Sequence, residues 1–172
     1  MSKDRPSPAR LRDLVTDLAV ERRRLEALVD SLEGLAQRWE REGADAERVD
    51  AAALRLQSFY TGIERCLLQI VRVLNGATPE GSAWHRRLLD RLTQPTDRRP
   101  ALLSDTTSRA LGQWLGFRHL VLHLYADDLD PQQVRQRLVG ALELWPTLSA
   151  ELETFHRWLA ELIAFSEGVA EG

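Results

Sequence analysis

Two long series of apolar residues, at steps of three and four, constrain the fold of this 172-residue chain more than any other feature. The first lies on a helix predicted from Ala9 to Glu42, and Glu21 fills one of its slots. Its members are Leu11, Leu14, Leu18, Leu25, Leu28, Leu32, Leu35 and Trp39. The second lies on a helix predicted from Ala46 to Asn75. Its members are Val49, Ala52, Leu56, Phe59, Ile63, Cys66, Ile70 and Val73. This spacing places each series on one helix face, and the short connection at Gly43 predicts an antiparallel pair.

The second helix is apolar over more of its surface than a single partner helix covers. Off the main series it carries Leu54, Tyr60, Leu67, Val71 and Leu74. A coiled coil would explain the two series alone. The wider apolar face instead favours a bundle in which the second helix has several neighbours.

The rest of the chain reads as three further helices. A short one runs from Ala83 to about Leu92, and the next, capped by Ser104 or Asp105, holds residues 117–123 and is termed the motif helix. Asp130 and Pro131 begin the last helix, and Pro146 is expected to kink it. We therefore predict an all-α fold, an up-and-down bundle with two long antiparallel helices, a short helix, the motif helix and a proline-kinked last helix. Residues 9–168 are expected to form one domain, with a flexible N-terminus (1–8) and a C-terminal tail (169–172).

Composition excludes several kinds of protein. The net charge of −3 provides no global basic field for nucleic acid, so any RNA contact needs a local patch. The lone cysteine, Cys66, permits neither an internal disulfide nor a cysteine metal cluster, and is read as a small buried side chain. No apolar stretch approaches a membrane span, and residues 1–10 lack a signal core. A cytoplasmic protein without metal or cofactor is the expectation.

Reactive side chains are concentrated in residues 117–125, an otherwise aliphatic run that contains Arg118, His119, His123 and Tyr125. An arginine binds a phosphate through its planar fork, and a histidine transfers protons near neutral pH. Beside both groups, the 2′-OH of RNA could attack the adjacent phosphorus without a metal, and the arginine would balance the developing charge. The pattern indicates cleavage of RNA in preference to DNA.

Helix geometry sets a condition on this site. Residues five apart, such as Arg118 and His123, lie about 140° apart around a regular helix. The helix must therefore end near His123, or a second subunit must complete the site. In the alternative interpretation, Arg118 forms a salt bridge to Asp127, Asp128 or Asp130, and the histidines are satisfied core or surface residues.

A second basic cluster lies on the short helix. His85, Arg86 and Arg87 are candidates for RNA binding, which Arg91, Arg98 and Arg99 could extend. A solvated basic face is the alternative.

The segment Arg118-x-x-x-x-His123-x-Tyr125 resembles the signature of the HEPN ribonucleases, and most closely that of the HepT-like toxins. Further segments resemble the same family: residues 59–65 its second helix, 81–89 its short third helix, 99–104 the loop before the motif helix, and 129–131 the entry to the last helix. The resemblance covers roughly residues 59–155.

The resemblance implies a metal-independent endoribonuclease, the toxin of a type VII-like toxin–antitoxin pair, that acts as a homodimer with two motif copies lining one cleft. Arg118 and His123 match the catalytic pair, and His119 fills the supporting polar position. Tyr125 matches a tyrosine that a nucleotidyltransferase (MntA-like) antitoxin AMPylates. Two alternatives stay open: a catalytically silent HEPN module that binds a nucleotidyltransferase or nucleotide, and a purely structural helical adaptor.

Overall fold

The computed structural model describes the backbone of residues 6–122 and 129–170, and the side chains of residues 6–114 and 129–168. Its five helices are α1 (Pro8–Glu42), α2 (Ala46–Leu74), α3 (Trp84–Thr93), α4 (Asp105–Leu122) and α5 (Pro131–Ala170). Within these ranges there is no β-strand, only an isolated bridge between Thr96 and Arg99. The predicted all-α fold is confirmed.

Side-chain caps explain where the helices begin. Ser7 accepts a hydrogen bond from the Arg10 amide at 3.3 Å, and Asp45 accepts one from the Arg48 amide at 2.7 Å. Asp130 accepts one from the Gln132 amide at 3.0 Å, ahead of Pro131. These oxygens satisfy amide groups that have no partner inside the first turn of a helix. The caps predicted at Asp45 and Asp130 are confirmed.

Helices α1 and α2 form the predicted antiparallel hairpin. Gly43 ends α1 with φ of 78°, a backbone conformation that favours glycine, and its amide donates to the Trp39 carbonyl at 2.9 Å. Arg65 on α2 contacts Glu21 on α1 at 2.9 Å. Glu21 is buried, so its slot in the apolar series of α1 is occupied by a carboxylate paired across the helix interface.

Helix α2 is central, because it packs against all four other helices. The expectation that its wide apolar face needs several partners is confirmed for Tyr60, Leu67, Val71 and Leu74, which are all buried. The expectation is wrong for Leu54, which is 63% exposed. Leu54 precedes Tyr60, the point on α2 where α4 packs, by more than one turn.

Helix α5 runs antiparallel to α1 along the bundle. Arg135 near the start of α5 pairs with Glu40 near the end of α1, and Glu167 near the end of α5 pairs with Arg12. The helix continues through Pro146 and extends beyond the predicted end at Ser166. Within the described ranges, no helix combines the length and apolar content needed to cross a lipid bilayer.

Candidate functional site

The predicted catalytic segment begins on α4. Arg118 and His119 belong to this helix, but their side chains are outside the described set, and His123 and Tyr125 lie outside the described residues altogether. The structure therefore places the first half of the segment on the bundle and leaves the pairing of Arg118 with His123 a prediction. The alternative pairing of Arg118 with Asp127, Asp128 or Asp130 stays open for the same reason.

Tyr60 on α2 fixes the middle of α4, one to two turns before Arg118. Its hydroxyl donates to the Leu111 carbonyl at 2.9 Å, and its ring stacks on Trp114 with a centroid separation of 5.9 Å and an interplanar angle of 13°. Leu111 and Trp114 are buried. Positions 111, 114 and 118 follow the three–four helical repeat along α4.

A polar cluster fixes the start of α4. The Ser104 hydroxyl accepts from the Thr107 amide at 3.2 Å, which confirms Ser104 as one of the two predicted caps. Glu151 on α5 accepts from the Ser104 amide at 3.1 Å and from the Thr107 hydroxyl at 3.0 Å. Its negative charge lies at the amino end of the helix, where the helix dipole favours an anion. Two contacts, at Tyr60 and at Glu151, thus position the helix that carries Arg118.

In the predicted basic cluster on α3, one side chain contacts a carboxylate on α2 and two are exposed to solvent. His85 Nε2 lies 2.7 Å from Glu64 Oε1 on α2, and its ring stacks on Trp84 at a centroid distance of 3.4 Å. Arg86 and Arg87 are exposed in the first turn of α3. The latter two remain available for a phosphate, whereas His85 is oriented by a carboxylate.

Arg99 does not extend this basic surface, contrary to expectation. It is 3% exposed, and burial lowers the pKa of its guanidinium. Its nitrogens donate to Asn75 Oδ1 at 3.1 Å and to the carbonyls of Arg91, Gln94 and Pro100 at 2.6, 3.2 and 3.0 Å. The guanidinium thus holds the loop between α3 and α4 to the end of α2.

Sequence reasoning missed a polar groove between α4 and α5. The described residues that line it are Gln113, Trp114, Gln133, Gln136, Arg137 and Gly140. The groove is open to solvent and has a volume of about 500 Å³. Arg137 lies over the Trp114 ring, 5.7 Å from its centroid, and donates to the Gln113 carbonyl at 3.0 Å. The helical spacing of Gln133, Gln136, Arg137 and Gly140 was the available signal, but it does not reveal that α4 lies opposite.

The part of the chain that the structure describes contains neither a candidate metal site nor a reactive thiol. No group of three or more His, Cys, Asp or Glu side chains is placed there to hold a metal ion. Burial, together with the nearby charge of Glu21, raises the pKa of the Cys66 thiol to about 12. The thiol is therefore protonated at neutral pH and is a poor nucleophile. The interpretation of Cys66 as a buried core side chain is confirmed.

A comparison with known protein families shows the family to which the chain belongs. A family model described as HepT-like protein matches residues 51–159, from α2 through most of α5. The match covers more than half of the chain and includes the whole of residues 117–125. No match was found among curated proteins. The chain belongs to the HepT-like family, which suggests a HEPN-type, toxin-like domain.

Proposed function

We propose that this protein is a metal-independent endoribonuclease, the toxin of a toxin–antitoxin pair, and that Arg118 and His123 carry the reaction. The observation that carries the proposal is the family match over residues 51–159, because the HepT-like family is generally one of HEPN-type ribonuclease toxins. The fixed position of α4 supports it, since Tyr60 and Glu151 hold in place the helix to which Arg118 belongs.

The proposed reaction uses the substrate's own nucleophile. The 2′-oxygen of the ribose bonds to the adjacent phosphorus while the bond from phosphorus to the 5′-oxygen of the next nucleotide breaks. A proton leaves the 2′-hydroxyl and one is delivered to the departing 5′-oxygen, and His123 takes part in this transfer. Arg118 holds the phosphate through its fork and balances the charge that develops on its oxygens. The products are a cyclic phosphate and a 5′-hydroxyl.

We propose that the protein acts as a homodimer. A helical separation of five residues puts Arg118 and His123 about 140° apart, so one regular helix does not bring the two side chains together. Two motif copies in a shared cleft would let an arginine and a histidine from different chains meet at one phosphate. His119 is proposed as the polar neighbour of Arg118, and Arg86 and Arg87 as contacts for flanking RNA phosphates.

The proposed partner is a nucleotidyltransferase antitoxin that attaches AMP to Tyr125. Tyr125 follows His123 by two residues, so an added nucleotide phosphate would be close to the proposed catalytic pair. That phosphate would compete with RNA for the fork of Arg118, because both present the same charged oxygens. The modification would therefore silence the toxin.

The test is RNA cleavage by the purified protein in EDTA. We expect the wild-type protein to cut RNA, to leave a DNA oligonucleotide of the same sequence intact, and to yield a cyclic phosphate end. Arg118→Ala and His123→Ala should each abolish the cleavage. Arg109→Ala is the matched control, because it removes an exposed arginine from the same helix about two and a half turns earlier and should cut like wild type. Equal cleavage by all four proteins would assign the activity to a contaminant.

One sequence observation favours a second function. Asp127, Asp128 and Asp130 follow the motif closely and would repel RNA if they faced the cleft. A silent HEPN module that binds a nucleotidyltransferase or nucleotide would tolerate these charges. Binding of a nucleotidyltransferase without cleavage of RNA by any preparation would favour this function.

A further inference from the structure

The groove between α4 and α5 has walls suited to a nucleobase. Its volume of about 500 Å³ lies in the range of small-molecule sites in proteins. Among the described residues that line it are three glutamines, one arginine and one tryptophan, and no carboxylate. Gln113, Gln133 and Gln136 are exposed on its rim. A glutamine amide both donates and accepts, as does the hydrogen-bonding edge of a base.

Two contacts with α4 orient the Arg137 side chain. Its guanidinium lies over Trp114, and the Trp114 ring also stacks on Tyr60, so side chains from α5, α4 and α2 are in contact here. The hydrogen bond to the Gln113 carbonyl fixes the rotation of the guanidinium about its long side chain. A plane that is already immobilised loses less conformational entropy on binding than a free arginine would.

The groove also lies one helical turn from position 118 on α4. Trp114 precedes Arg118 by four residues on α4, a separation of one helical turn or about 6 Å along the axis. A nucleotide whose phosphate contacts Arg118 therefore has its neighbour within reach of the groove. In single-stranded RNA, splayed bases stack on aromatic rings or on arginine planes and are read by polar side chains at their edges.

We propose that the α4–α5 groove is a base-binding subsite, which holds a nucleobase of RNA beside the scissile phosphate. The Arg137 guanidinium is its stacking plane, and Gln133 and Gln136 contact the edge of the base. This inference deepens the proposed ribonuclease function and rests on it for the identity of the ligand.

The test measures the affinity of the full-length protein for a fluorescein-labelled 2′-O-methyl RNA oligonucleotide of mixed sequence. This probe lacks the 2′-hydroxyl and cannot be cut. Arg137→Gln should weaken binding by about tenfold, the loss expected from one stacked base. Arg137→Lys should weaken it nearly as much, since lysine keeps the charge but has no plane. Arg135→Gln is the matched control: it removes the same charge from a residue that pairs with Glu40, and should bind like wild type.

Two further measurements separate the subsite from the fold and from the nuclease. Gln136→Ala, at an exposed position, should change which base precedes the cut while the melting temperature stays at the wild-type value. The wild-type protein could bind the oligonucleotide more tightly than Arg137→Gln does and still cut no RNA. That result would support the subsite proposal and contradict the nuclease proposal. Three results overturn the subsite: equal affinities for Arg137→Gln and Arg135→Gln, wild-type affinity for Arg137→Lys, or a loss of dimer mass in Arg137→Gln, which would assign the groove to a second copy.

Discussion

A buried arginine in the loop between α3 and α4, Arg99, stabilises the fold and is not exposed to a ligand. The Arg99 guanidinium donates to three backbone carbonyls and to the side chain of Asn75 at the end of α2. These hydrogen bonds hold a loop that has little regular structure of its own. Charge alone is thus a poor guide to function among the arginines of this chain, because the same residue type lies exposed at Arg86 and buried at Arg99.

We expect Arg99→Ala to lower the free energy of unfolding by about 2–4 kcal/mol, because it removes four hydrogen bonds from a buried, charged donor. Urea denaturation followed by circular dichroism measures the change. Arg91→Ala removes an exposed arginine from the same region and should cost much less. A stable Arg99→Ala protein with weakened RNA binding would contradict the structural role and return Arg99 to the phosphate surface.

Ionisation of the Cys66 thiol should lower the free energy of unfolding at alkaline pH. Its pKa is about 12 in the folded chain against an ordinary 9.0, first because of burial and then because of Glu21. The folded state therefore keeps its proton where the unfolded state has lost it. The stability is fully present below pH 9 and is lost as the pH rises towards 12. At pH 10.5 the loss is about 2 kcal/mol. Unfolding of wild type and Cys66→Ala at pH 8 and 10.5 measures it, and parallel pH profiles for the two proteins would rule out this linkage.

At the scale of the element, α4 depends on a side chain from another helix. Glu151 on α5 accepts hydrogen bonds from Ser104 and Thr107, so the amino end of α4 is tied across the bundle. This contact is partly buried, and Thr107 is 1% exposed. The carboxylate therefore acts on α4 both as a hydrogen-bond acceptor and as a favourable charge at the helix dipole.

We expect Glu151→Ala to lower the free energy of unfolding by about 2 kcal/mol, because it leaves the Ser104 amide and the Thr107 hydroxyl without their acceptor. The matched control is Glu153→Ala, two residues further along α5. Glu153 forms a surface ion pair with Arg22, and such pairs contribute about 0–1 kcal/mol. Denaturant titrations of the two variants compare their free energies of unfolding. Equal decreases would contradict the stabilising contact between Glu151 and the start of α4.

The helices were predictable because their determinants are local. The three–four spacing, Asp45, Ser104 and Asp130 as caps, and Gly43 as a terminator all act within a turn or two of sequence. Leu54 and Arg99 were misjudged because burial depends on which distant element packs nearby. The groove at Trp114 and Arg137 needs two helices in one register, which spacing along a single helix does not reveal. Of the proposed site, the helix that carries Arg118 is confirmed, and the roles of Arg118 and His123 stay predictions.

At the scale of the whole molecule, the arrangement of the bundle bears on how a site forms. Helix α2 packs against all the other helices, and α4 is held to it at Tyr60 and to α5 at Glu151. On α4 the described residues end at Leu122, so His123 lies outside them. We propose that a second chain completes the site, because a regular helix would hold residues five positions apart about 140° from each other.

This requirement makes complementation between two inactive variants the decisive measurement. Arg118→Ala and His123→Ala homodimers each lack one of the two proposed groups in every cleft. A mixed dimer has one intact arginine and one intact histidine, so mixing the two proteins under conditions of subunit exchange should restore cleavage that neither shows alone. Light scattering must find a species of about twice the 19.6 kDa of one chain. A mass of one chain only, or a mixture no more active than its parts, would place both groups of any active site within a single chain.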